Sequence, residues 1–248
     1  MFPLRDENPT LQRSVITPLL VFVNVAVWII VQGMGTAPAL MQSVLNLGLI
    51  PGELLGRIPE GTRIPVGSTM AYVIDGSPHW FSLLSHMFLH GSWFHLIGNL
   101  WFLWVFGDNV EDAMGRFRFL AFYLLCGSAA AAAQIIADPS SAVPMVGASG
   151  AISGVMGAYA VLYPKSRVHV VVFLGFFITR AVLPAFLMLA YWILIQFVGT
   201  IPRVSSTGGI AFWAHIGGFA AGVVLIFMFR DSRRVRKHHA LMRRRGLP

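Results

Sequence analysis

Six apolar runs set the limits on what this 248-residue chain can fold into. A helix needs about 20 mostly apolar residues to cross a bilayer. Runs approaching that length fall at about 17–34, 92–107, 117–137, 149–164, 182–199 and 213–229. A soluble domain would carry roughly a quarter charged residues. Here 56% of residues are hydrophobic and only 11% are charged, with a mean hydropathy of +0.71. The pattern predicts an all-α membrane protein with six transmembrane helices. The apolar stretch 168–178 (VHVVVFLGFFI) is too short to cross alone and is expected at the interface or against the bundle.

Lys and Arg placement orients the spans. With both termini inside, the cytoplasmic side holds Arg5, Arg13, Arg116, Arg118, Lys165, Arg167, Arg180 and the tail from Arg230 to Arg245, against Arg57, Arg63 and Arg203 outside. The chain then divides into a short cytoplasmic tail (1–16), a membrane domain (17–229) with a large outer loop (35–91), and a basic cytoplasmic tail (230–248). The first run has no small-residue cleavage site and reads as an anchor, not a removed signal. The net charge of +8 is concentrated in 230–245, directly after a span. It therefore reads as a positive-inside anchor near anionic lipid, and nucleic acid is not an expected partner. The lone Cys126 sits in an apolar run and reads as a packing residue.

Against this background two polar residues stand out. Ser149 and His215 each open an apolar run, embedded in glycine and alanine. An unpaired polar side chain is costly in an apolar setting. Ser149 alone reads as a helix cap, but its neighbours add a pattern. Gly150, Gly154 and Ala158 repeat at four-residue spacing, and so do Ala214, Gly218 and Gly222. Small-xxx-small faces let membrane helices approach closely, and packing these two faces would bring Ser149 to His215. The loops 138–147 and 200–212 deliver both residues from the same, outer face. A neutral imidazole suits a base for a serine hydroxyl. Asp138 is the nearest carboxylate in sequence to Ser149, so a Ser–His dyad fits better than a triad. The G-x-S-x-G elbow of soluble hydrolases is absent, because Ala151 stands where it needs glycine.

His86, His90, His95 and Asn99 form a third constellation. His95 and Asn99 are four apart on one helix and share a face. With the Ser149 N–H at a helix start they could stabilise an oxyanion. Histidines at this spacing are also metal ligands, but H-E-x-x-H is absent and no acidic residue falls among them. No metal or cofactor is expected.

The ordered set His95-x-x-x-Asn99, Glu111-x-x-x-Gly115, Gly147-Ala148-Ser149-Gly150 and Ala214-His215-x-Gly217-Gly218 with Gly222 resembles the rhomboid family of intramembrane serine proteases over about 80–230. The resemblance implies a six-helix bundle with a water-accessible cavity opening outward. It implies peptide-bond hydrolysis in or near transmembrane segments of membrane-protein substrates. Ser149 would be the nucleophile and His215 the base and later acid. His95, Asn99 and the Ser149 N–H would be oxyanion donors, and His86 and His90 outer-side structural residues. Glu111 would be a structural carboxylate near the cytoplasmic end, with Gly150, Gly154, Gly218 and Gly222 as packing glycines. The implied setting is a bacterial inner membrane. Two positions depart from patterns found in some members. Trp80-Phe81-Ser82 stands where a Trp-Arg pair can occur, and Ser153 where a tyrosine can stack on the histidine. A non-proteolytic chaperone or adaptor binding transmembrane helices is the competing reading, though it does not need an intact Ser149/His215 pair. A transporter lacks support, with no inverted repeat and no acidic residue within a span.

Overall fold

The structure is a computed structural model and describes residues 1–66, 70–174, 177–201 and 210–247. In chain order its elements are β1 (Phe2–Asp6), α1 (Ile16–Ile30), α2 (Ala37–Leu47), α3 (Pro51–Leu54), β2 (Arg63–Val66), β3 (Met70–Val73), α4 (Ser82–Ser85), α5 (Trp93–Met114), α6 (Arg116–Ala137), α7 (Ser149–Leu162), β4 (Arg167–Leu174), β5 (Phe177–Pro184), α8 (Ala185–Gly199), α9 (Phe212–Phe229) and α10 (Ser232–Arg244). A helix occupies most of each of the six apolar runs, although the run 182–199 begins in β5 and turns helical only at Ala185. Among the described residues α6 and α9 are long and apolar enough to cross a membrane, while α1, α7 and α8 are apolar but shorter. α5 is 22 residues long, and its last turns carry Asp108, Glu111 and Asp112.

The packing is the inverse of a soluble bundle. α9 buries one stripe, Ala214, Gly218, Gly222 and Ile226, one residue per turn. Trp213, Val224, Phe227 and Met228 on the same helix are exposed. A helix that is apolar all round and turns large side chains outward is out of place in water. α7 lies at the centre and is buried from Gly150 to Tyr159. α7 and α9 meet backbone to backbone. A Cβ on Gly218 would overlap the Gly150 carbonyl, one on Gly222 would overlap that of Gly154, and one on Gly154 would overlap Cys126 of α6. Glycine is what permits this approach, and the resulting van der Waals contact is a main source of helix association in lipid.

The other side of the bundle is closed by α1 against α5. Glu111, 3% exposed, reaches from α5 to the start of α1. Its Oε1 accepts from the N–H groups of Val15 (2.7 Å) and Ile16 (3.0 Å), and its Oε2 from the N–H (2.8 Å) and hydroxyl (2.9 Å) of Thr17. A carboxylate on the free donors of a helix start is favourable by hydrogen bonding and by the helix dipole. Just past the other end of α1, the Gln32 amide brackets residue 90, donating to its carbonyl and accepting from its N–H, each at 2.8 Å.

The chain is mostly helical but not all-α. The stretch read as an interfacial apolar segment forms the β4–β5 hairpin, which pairs with β1 in an antiparallel sheet of order β1-β4-β5. β-branched Val168, Val170, Val171 and Val172 favour a pleated strand over a helix. Val168 and Val170 turn inward and are buried, while Phe173, Ile178 and Val182 are exposed on the other face. The segment 1–16 is thus docked through β1, and 230–248 is no free tail either. Asp231 caps α10 through the N–H groups of Arg233 and Arg234, and His238 packs on Tyr163 with ring centroids 4.6 Å apart. Arg13, Arg116, Arg118 and Arg234 gather at this one end of the bundle.

The long segment 35–91 is held at the opposite end. Leu49 and Met145 exchange backbone hydrogen bonds at 3.0 and 2.8 Å, and the Gly52 N–H donates to the Ser141 carbonyl at 2.9 Å. Those bonds pin the loop that leads into Ser149. The loop expected to deliver His215 (200–212), with Arg203, lies largely outside the described residues.

Candidate active site

Ser149 is the first residue of α7, entered through Gly147 and Ala148. Gly147 has φ +128°, a left-handed conformation that side chains rarely adopt, and a Cβ there would sit 2.7 Å from His95 Nε2. Glycine is therefore required twice, for the turn and for the approach of α5. The Gly147 N–H is anchored by the His86 carbonyl at 2.9 Å. His215 lies in the first turn of α9, beside Ala214. Through the glycine contact between the two helices, His215 Nε2 comes 2.8 Å from Ser149 Oγ.

Both side chains face a cavity of about 480 Å3 that runs between α5 and α8. Phe94, Phe102, Ile152, Met156 and Trp192 give it apolar walls, and His86, His95, Asn99, Ser149, Gln196 and His215 are its polar side chains. His95 Nδ1 accepts from the Gly91 N–H at 3.3 Å, which leaves its Nε2 as the ring's N–H donor, beside Gly147. Asn99 is 8% exposed, and its Nδ2 has no hydrogen-bond partner among the described residues. A buried amide N–H left unpaired is costly, unless a ligand oxygen arrives to accept from it. The first-turn N–H groups of α7 are likewise free of intrahelical partners. Three kinds of donor thus border one space next to Ser149 Oγ. That is the arrangement needed to stabilise negative charge developing on an oxygen.

His86 also borders the cavity, while His90 lies behind it. His86 Nδ1 is 2.7 Å from the Ser82 carbonyl. His90 is fully buried, edge-on to His95 with ring centroids 5.1 Å apart. The three rings do not converge as a ligand set. Among the described residues the three side chains that do converge with metal-capable atoms are Glu53, Asp75 and His79, in the segment 35–91. There the Tyr72 hydroxyl donates to Glu53 at 3.0 Å, tying the β2–β3 hairpin to α3.

Two residues that the sequence analysis did not single out complete the surroundings of His215. Gln196 Oε1 lies 2.7 Å from His215 Nδ1, and the Trp192 ring lies against the imidazole with centroids 5.8 Å apart. Both come from α8. At the position where a stacking tyrosine can occur, Ser153 instead donates to the Ser149 carbonyl at 2.6 Å. The aromatic face on the histidine comes from another helix. The sequence signal for Gln196 is a lone amide in an otherwise apolar helix. Trp80 and Phe81, where a Trp-Arg pair can occur, are both exposed.

Comparison with known proteins matches residues 77–232 to the Rhomboid domain family model. Rhomboid-like protein 11, chloroplastic, of Arabidopsis thaliana is 33% identical over 166 residues, 65% of this chain and 57% of that protein. Rhomboid protein 1, mitochondrial, of Saccharomyces cerevisiae is 28% identical over 147 residues, 58% of this chain and 40% of that one. Rhomboid protease GluP of Bacillus subtilis is 40% identical over a shorter stretch of 79 residues, 32% of this chain and 15% of that protein. The chain spans about half the length, or less, of these relatives.

Proposed function

The chain belongs to the rhomboid family, and on that premise we propose that it is an intramembrane serine endopeptidase. It would cleave peptide bonds in or near transmembrane segments of other membrane proteins. The observation that carries this reading is the 2.8 Å contact of Ser149 Oγ with His215 Nε2 at the wall of a cavity bordered by unpaired donors. His215 takes the hydroxyl proton as Ser149 Oγ attacks the carbonyl carbon. The oxygen of the tetrahedral intermediate is held by Asn99 Nδ2, His95 Nε2–H and the N–H groups opening α7. His215 then returns the proton to the leaving amine, and a water, deprotonated by the same imidazole, releases the acyl group.

The six helices that fill the apolar runs act as six spans, with Ser149 below the outer surface. At 1.5 Å per residue the 14 residues of α7 measure about 21 Å, short of the ~30 Å hydrocarbon core. The cluster of Arg13, Arg116, Arg118 and Arg234 supports reading that end, and with it both termini, as cytoplasmic. A bacterial inner membrane is the proposed setting. Metal and cofactor take no part.

The test is cleavage of a transmembrane reporter in liposomes, together with labelling by a fluorophosphonate. Wild type should cleave and be labelled, and Ser149→Ala should do neither while unfolding at the wild-type temperature. Reporter binding without cleavage or labelling in the wild type would favour a chaperone or adaptor.

A further inference from the structure

The structure assigns Gln196 as the positioning residue of His215, the group that fixes the imidazole with its bare nitrogen toward Ser149. The assignment rests on the Ser149–His215 reading above and adds a third member to it.

Hydrogen-bond polarity fixes the orientation of both side chains. Gln196 Nε2 lies 3.2 Å from the Trp192 carbonyl one turn back. A carbonyl only accepts, so the NH2 end of the amide must be the end that faces it. The other end, Oε1, is then the atom 2.7 Å from His215 Nδ1. An amide oxygen only accepts, so Nδ1 carries the hydrogen. The lone pair is left on Nε2, 2.8 Å from Ser149 Oγ, and Oγ must be the donor there. A backbone carbonyl of α8 thus dictates, through two side chains, which way the serine hydroxyl points. Without an acceptor at Nδ1 the neutral ring populates both tautomers, and the one with hydrogen on Nε2 cannot take the serine proton. Trp192, in contact with the ring, limits its rotation.

Burial gives the amide a reason to be where it is. Gln196 is 6% exposed on a helix whose Leu194, Ile195, Phe197 and Val198 face outward. A buried polar group is tolerated when both ends are hydrogen-bonded, and both are. A carboxylate would fix the same tautomer and would also attract the positive charge that forms on the ring. It would do so at the cost of a buried charge. The amide orients through a dipole alone. Around His215, α7 contributes Ser149, α5 contributes His95, and α8 contributes only Gln196 and Trp192. α6 turns Ala130 and Ala133 toward this part of α9. No carboxylate faces the ring among the described residues, so one placed at 196 would act alone.

Three variants test the assignment in the full chain, in liposomes, with a transmembrane reporter. Gln196→Leu keeps the shape and removes the acceptor. It should lower kcat about tenfold or more, a part of the roughly 10²–10⁴ that a positioned base contributes, while KM stays near wild type. Gln196→Glu restores the acceptor with a charge. It should remain active at its optimum, with the acid limb of its pH–rate profile moved to higher pH by about a unit, because a neighbouring anion favours the protonated ring. Wild-type kcat in Gln196→Leu, or an unmoved acid limb in Gln196→Glu, overturns the assignment. Should Gln196→Leu fail to fold, the Gln196→Glu profile decides. Ser149→Ala separates the two levels. If it is inactive while Gln196→Leu is unaffected, only the role of Gln196 falls. If it still cleaves at full rate, the dyad reading falls and takes this assignment with it.

Discussion

Gly218 of α9 packs so closely on Gly150 of α7 that a Cβ on Gly218 would overlap the Gly150 carbonyl oxygen. Gly218 lies one turn below His215 and touches no reacting atom. Gly218→Val should nevertheless inactivate the protein. The branched side chain would drive α7 and α9 apart, and a misplacement of ~1 Å can cost about a hundredfold in rate. Stability should fall as well, since the close contact is lost. Reporter cleavage and thermal unfolding in detergent measure both. Full activity with an unchanged melting point would show that the helix pair tolerates separation and that this contact does not set the Ser149–His215 distance.

Asn99→Ala removes the buried, unpartnered Nδ2 from the cavity wall. The expected result is a fall in kcat toward the roughly hundredfold lost with one oxyanion donor, with little change in KM. His95 and the α7 N–H groups remain, so some activity should persist. A raised KM with unchanged kcat would move Asn99 from transition-state stabilisation to substrate binding.

Chelation should leave turnover intact. His86, His90 and His95 do not converge as a ligand set, and the metal-capable trio Glu53, Asp75 and His79 does not line the Ser149 cavity. Prolonged EDTA treatment followed by reporter cleavage is the measurement. Activity that disappears and returns with added zinc would contradict the metal-free reading.

Asp6 of β1 offers a stability test away from the site. Burial pushes its carboxyl up from 3.8 to about 6, and the Tyr159 hydroxyl donates to it. The folded state therefore holds this proton more tightly than the unfolded state does. Its contribution is fully present below the ordinary carboxyl value and is lost as pH rises toward about 6. Asp6→Asn keeps an acceptor for Tyr159 and removes the titration. The variant should melt a few degrees higher than wild type at pH 7.5 and close to it near pH 4. Equal melting points at both pH values would mean that docking of β1 does not depend on this group.

The helices were legible because apolar length is a local property. The run 117–137 became α6 (Arg116–Ala137) and 213–229 became α9 (Phe212–Phe229). The glycine spacing also carried local information, and α7 and α9 do meet through Gly150, Gly154, Gly218 and Gly222. The strands were missed because a short apolar run reads alike for strand and helix. The β-branched valines of 168–172 were the available signal, and the partner strand lies more than 160 residues away in β1. α10 was hidden by its charge. Its Asp231 cap and the buried His238 and Met242, four apart, are the amphipathic signature that a charge count overlooks. Gln196 and Trp192 could not be placed on His215 from sequence, since which way an amide points from an apolar helix depends on the neighbouring helix.

The Glu111 contact has a consequence for how the chain is assembled. The donors it satisfies open α1, while the carboxylate itself arrives 95 residues later, in the last turns of α5. During synthesis α1 therefore emerges uncapped and stays so until nearly all of α5 has been made. Gln32 waits in the same way for residue 90. The two clamps sit at opposite ends of the pair, and neither needs a residue beyond Glu111. Every group in these two clamps precedes Ser149 and His215 in the chain, whereas α8, whose Gln196 and Trp192 face the imidazole, follows Ser149.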